Sequence, residues 1–240
     1  NGHLAAAHTS LAIVKWHYDW DMIGAEEAFE RAVSLNPNYA TAHHWYALYL
    51  VFTGRNEKSI DEIQKALSVD PISLIVNAAV GLVYYFAGDY DEAIIQSMQT
   101  LDMNENFFAA HTVLGRAYIQ KRMYREATES FNRVIALTGR RSNVLALLAH
   151  SLAASGRVSE AEVLYEELAE RAREDYVSPV NMAIIAVALE KNNEALDWLE
   201  KACTERSSVI FTMRADPLFK EIRDEPEFIE LVSKIGLNPK

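Results

Sequence analysis

The side chains best suited to chemistry fall in a few short stretches. "TAHHWYALYL", Thr41–Leu50, sets two histidines beside a tryptophan and two tyrosines. "YDWD", Tyr18–Asp21, offers two carboxylates two residues apart. Cys203 is the single cysteine, and Arg140-Arg141 is an isolated pair of cations. A metal site needs imidazoles or carboxylates that converge. Neighbours on a helix point about 100° apart, so His43 and His44 diverge, and no carboxylate stands four residues on to complete a pair. Both histidines are therefore expected to pack. "YDWD" reads as a turn between helices, with an aspartate capping the next helix and Trp20 covering the end of the pair.

Other signatures of catalysis are missing. The chain has no glycine-rich phosphate loop, no His-Glu-x-x-His, no Cys-x-x-Cys and no Gly-x-Ser-x-Gly. Its carboxylates are spread among Lys and Arg, as on solvated helix faces. No enzyme activity, cofactor or metal is expected.

Composition sets the frame for these residues. Half of the 240 residues are hydrophobic, with only six prolines and nine glycines, which favours helix. A net charge of −11 without a basic stripe argues against nucleic acid as a partner. One cysteine excludes an internal disulfide and fits a reducing, cytoplasmic setting. Cys203 itself is expected on a buried helix face. The longest apolar run, Leu74–Ala87, is interrupted by Asn77 and is too short to span a membrane. The sequence opens on Asn1 with no targeting signal and reads as a piece of a longer protein.

The chain repeats itself every 34 residues. Ala25, Ser59, Ala93, Ala127, Ala161 and Ala195 form one small-residue series, and Ala47, Gly81, Gly115, Ala149 and Ala183 form another. Four residues beyond the first series stand Phe29, Ile63, Ser97, Phe131, Tyr165 and Leu199, of which only Ser97 is not bulky. Small side chains let paired helices approach, and the bulky residue one turn on fills the remaining space. Pro37 and Pro71 end the second helix of a pair. Gly54, Gly88 and Gly156 supply the turn within a pair. The first unit reads as one residue longer, with the extra residue assigned to "YDWDMIG".

In this spacing the chain resembles the tetratricopeptide repeat family. "HTVLGRAY" (His111–Tyr118), followed by Ala127 and Phe131, carries the family pattern, as do Val80-Gly81, Tyr84 and Ala93. The resemblance implies an all-α, right-handed superhelical solenoid of about six antiparallel helix pairs. The array is expected over residues 5–205, with a short helical cap over 206–240 that covers the end of the stack. The tail is similar to the C-terminal repeat region of multidomain bacterial regulators, in which a winged-helix, cyclase or kinase domain precedes the repeats. Tyr176, Ser178, Pro179, Trp198, Leu199, Asp216, Pro217, Phe219, Pro226 and Phe228 carry that likeness.

In this architecture the first helix of each pair lines a concave groove. The phase places Trp16, His44, Leu48, Val51, Phe52, Leu82, Tyr85, Phe86, Arg116, Ile119, Gln120 and His150 there. The strip is apolar and aromatic at first and more polar later, and a strip of this kind marks an interaction site. The cation-and-amide clamp by which some family members grip acidic chaperone tails is missing: Thr9, His44, Ala78 and Thr112, then Ile13, Leu48, Leu82 and Arg116, stand at its positions. The expected role is a non-catalytic interaction or regulatory scaffold that binds a protein or peptide in this groove. The alternative is a small-molecule sensor relaying ligand binding to an upstream domain. No nucleic acid or membrane partner is expected, and assembly with a second copy stays open. So does closure of the strip by the chain's own "SSVIFTM".

Overall fold

A computed structural model describes residues 2–237, which form thirteen α-helices and contain no strand. Six pairs follow one another: α1 (Gly2–Val14) with α2 (Met22–Leu35), α3 (Ala40–Phe52) with α4 (Asn56–Val69), and α5 (Leu74–Ala87) with α6 (Tyr90–Met103). Next come α7 (Phe108–Gln120) with α8 (Tyr124–Thr138), α9 (Ser142–Ala154) with α10 (Val158–Glu174), and α11 (Pro179–Ala188) with α12 (Asn192–Thr204). Two 3-10 stretches, Ile210–Thr212 and Pro217–Ile222, lead to α13 (Pro226–Lys234). No helix among the described residues is long and apolar enough to cross a membrane.

The small residues face one another inside the pairs. All six members of the first series are buried, and so are all five of the second. Gly115 shows why size matters: a Cβ there would lie 2.6 Å from the Phe131 ring. In the third pair Gly81 meets Ser97 instead, whose hydroxyl donates to Ala93 O at 2.7 Å and so is not left unsatisfied.

The turn inside each pair uses the same backbone device throughout. Trp20, Gly54, Gly88, Arg122, Gly156 and Glu190 all have positive φ, spaced 34 residues apart. Glycine is favoured there but not obligatory. Because Trp20 keeps the phase, the extra residue of the first unit lies upstream of it. It is taken up by a π-helical turn, Lys15–Asp19, a common way to fit one residue too many into a helix. Asp21 then caps α2, its Oδ1 accepting from Gly24 N at 2.8 Å.

The final segment packs on the last pair, Pro217–Ile222 against α11 and α13 against α12, and also reaches beyond it. Leu218, Phe219, Ile222, Phe228, Leu231, Val232 and Ile235 are buried, but they do not simply cover the last pair. The segment runs back through the concave face to the first pair. Arg206 Nη1 donates to Tyr18 O at 2.7 Å, His17 Nδ1 lies 3.1 Å from Ser208 O, and Gly236 lies against Met22 and Trp20 O. The two ends of the array meet, and residues 206–237 act as a strap inside the curve.

Candidate functional site

Most positions assigned to the groove are buried, and the strap touches several of them: Phe211 packs on Trp16, and Asp216 meets Tyr85 and Arg116. Trp16, Val51 and Tyr85 are almost completely buried. His44, Leu48, Phe52, Phe86, Ile119 and His150 retain only slight exposure. Leu82, Arg116 and Gln120 are half-buried. The strip expected to stand open to a partner is part of the core.

Two anchors hold the strap. Phe211 enters a ring of aromatics, its centroid 5.8 Å from Trp16, 5.7 Å from His17 and 6.0 Å from Trp20. Offset and edge-on pairs of this kind add to the gain from burying the ring. The second anchor is polar. Asp216 is buried; its Oδ1 accepts from Tyr85 Oη at 2.9 Å and from Leu218 N at 3.1 Å, and its Oδ2 accepts from Arg116 Nη2. Arg223 Nη2 donates to the Asp216 carbonyl at 3.0 Å. Arg116 lies over the Tyr85 ring, 4.9 Å from its centroid. Burial first, then the Asp216 charge, pushes the Tyr85 hydroxyl well above its usual range, so it stays a donor. Asp216 was legible as a cap for Pro217-Leu218. Its pairing with Arg116, 100 residues away, was not.

The histidines divide by role. His43 Nδ1 lies 2.6 Å from Glu62 Oε2, and Nε2 lies 2.9 Å from Pro37 O. Both nitrogens face oxygen acceptors, so neither lone pair is free for a metal. The contact to Pro37 belongs to a repeat-phased series. Asn77 Nδ2 donates to Pro71 O at 2.9 Å, and His111 Nε2 lies 2.8 Å from Glu105 O. In three consecutive units a polar residue thus ties an inner helix to the loop before it, which explains why Asn77 interrupts an apolar run. No group of three His, Cys, Asp or Glu able to hold a metal exists among the described residues.

His44 is buried without a charged partner, and desolvation lowers its pKa to about 4. Burial also lowers His150 and His17. The unfolded chain then binds more protons than the folded one between the two pKa values. Stability should therefore fall as pH drops from 6.5 toward 4, with His44 alone contributing about 2–3 kcal/mol. Urea unfolding at pH 7 and pH 4.5 checks this. His44→Phe should lose less stability between the two pH values than the parent, and equal losses would refute the assignment. Cys203 is buried, and desolvation raises its pKa to about 11, so it is an inert thiol.

Two of the cavities that border the strap are the widest. Ile119, Gln120 and His150 line a cavity of about 660 Å³ with Pro217 and Leu218. Arg141, Asn143, Asn181 and Ser208 line another of about 650 Å³. Neither gathers a nucleophile, base and acid into a reacting geometry.

The tetratricopeptide repeat family matches residues 40–73 and 108–139. No relative is found among the curated proteins. Solved structures with the same fold include a thermophilic tetratricopeptide repeat protein of Thermus thermophilus, with a TM-score of 0.66 at 20% identity over 78% of this chain and 99% of that one. PilW, described as a widely conserved type IV pilus biogenesis factor, gives a TM-score of 0.64 at 17% identity over 87% and 96%. Pseudomonas aeruginosa PilF gives 0.60 at 16% identity over 97% and 98%. The family model thus marks tetratricopeptide repeats in two segments, and helix pairing, the 34-residue phase and the solved structures show that the chain folds as the solenoid such repeats form.

Proposed function

We propose that the chain is a non-catalytic protein-interaction scaffold whose concave face is occupied by its own strap. A protein partner is left with the outer edge where the inner helices begin. One observation supports this most: Ile72, in the turn before α5, and Ile75, in its first turn, are 81% and 62% exposed. The same edge carries Phe108 at the start of α7 and Tyr176 before α11, both exposed. Large apolar side chains gathered on one exposed edge mark a docking surface. The acidic surface suits a partner with basic residues around an apolar centre.

The tail's likeness to the repeat regions of multidomain regulators supports a place in a larger bacterial regulatory protein, and with it a cytoplasmic setting. The pilus role printed for PilW is not carried over, since 17% identity supports the fold alone. A photo-cross-linker placed at Ile72 tests the reading in extracts of the source cell. Partner capture should disappear in Ile72→Asp/Ile75→Asp while helicity and melting temperature stay unchanged, because surface substitutions cost at most about 0.5 kcal/mol. Undiminished capture by that variant would refute the edge as the docking site.

A further inference from the structure

A cavity of about 360 Å³ opens at the seam between strap and array. Val51 and Phe86 from the array, with Phe228, Ile229 and Val232 from the strap, supply apolar walls. Arg214, Arg223 and Asn56 supply donors, and Asp224 is the one carboxylate among the lining residues. Neither arginine has a carboxylate within ion-pair distance among the described residues. Arg223 spends one Nη on the Asp216 carbonyl, while its Nε is buried with no partner. Arg214 makes no side-chain hydrogen bond among the described residues, and its guanidinium lies over Gly54 so closely that a Cβ there would come within 2.7 Å of Nη1.

Two half-buried cations facing one cavity are costly to keep unpaired. Burial first, then the charge of Arg223, lowers the Arg214 pKa. In a chain of net charge −11 with many free carboxylates, this arrangement calls for an anion. Two arginines against Asp224 leave the rim with one net positive charge, which suits a monoanion better than a dianion. The apolar walls call for a hydrocarbon group on the same molecule. The volume lies at the small end of the ~300–1,000 Å³ range of ligand pockets.

We infer that this seam is a binding site for a small carboxylate bearing an aromatic or branched apolar group, with Arg214 and Arg223 gripping the carboxylate. The ligand touches strap and array together, so binding fastens the strap by mass action. The site stands apart from the outer edge, and either holds if the other fails.

The test is an NMR titration of the whole chain with 4-phenylbutanoate, with 4-phenylbutanamide as the uncharged match and phenyl phosphate as the dianion. The acid should bind at one site with a Kd below about 1 mM and shift the signals of Val51, Phe86 and Ile229. The amide and the phosphate should bind at least about tenfold more weakly, as should the acid to Arg214→Gln, given the strength of charge-assisted hydrogen bonds. Arg214→Gln removes no hydrogen bond among the described residues and relieves an unpaired charge, so the melting temperature should not fall. Ile229→Glu, on the exposed rim of the wall, should abolish binding by placing a competing anion there. Equal affinity for acid and amide, tighter binding of phenyl phosphate, full affinity in either variant, or no shift up to about 5 mM acid would each overturn the inference.

Discussion

Asp216→Ala should lower stability by about 3–5 kcal/mol, the usual cost of removing one partner from a buried ion pair. The loss has three parts. Arg116 would keep its charge in a site where its Nε already lacks a partner. Tyr85 Oη would lose its acceptor inside the core, and the stretch Pro217–Ile222 would lose its cap at Leu218 N. Asp216→Asn separates charge from shape, since it retains an acceptor for Tyr85 and the cap. It should recover part of the loss but leave Arg116 unneutralised. Arg116→Ala combined with Asp216→Ala should cost less than the two single losses added, because each single variant strands the other's partner. Denaturant melts of the four proteins check this. Additive losses would mean that the pair is not coupled.

Phe211→Ala should cost about 3–5 kcal/mol, as expected for an aromatic removed from a packed interior. The ring is buried among Trp16, His17 and Trp20, and it is the place where the end of the array closes on its beginning. Val209→Ala, two residues earlier on a half-exposed side chain, should change stability by at most about 0.5 kcal/mol. The contrast separates an anchored strap from a loosely draped tail. Similar small losses at both positions would rule out the anchor. Phe52→Ala should behave like Phe211→Ala, since it lies in the same interior beneath the strap.

Much of the fold was legible because its cause is local and periodic. A helix pair needs small residues where the helices cross, and Ala25 to Ala195 display that need at a constant spacing. The turn was half legible. Gly54, Gly88 and Gly156 announce a left-handed residue, whereas Trp20, Arg122 and Glu190 take the same conformation without advertising it. The one-residue surplus in the first unit was visible, but its location was not. A π-turn has no sequence signature, and only the retained phase of Trp20 places the surplus before it.

The concave face shows where periodicity stops being informative. Repeat phase says which side of α3, α5 and α7 faces inward. It says nothing of what fills the space inside. The strap is outside the repeat, and its contacts join residues as far apart as His17 and Ser208. One clue was available: Arg116 is the one arginine among the positions assigned to the groove, and a buried cation there needs an anion from somewhere. Asp216 was one candidate among the several carboxylates of the tail. His43, Asn77 and His111 carry a similar lesson, since they share a repeat position and a contact to the loop six residues back.

The central claim is that residues 206–237 occupy the concave face of their own array. It is tested most directly by nuclear Overhauser contacts in a sample with labelled aromatic rings. Cross-peaks should join the Phe211 ring to the Trp16 and Trp20 indoles, at intensities fitting the observed 5.8 Å and 6.0 Å centroid separations. A Phe211 ring with the shifts of an unfolded peptide, and no contact to either tryptophan, would contradict the account and return the groove to an outside partner.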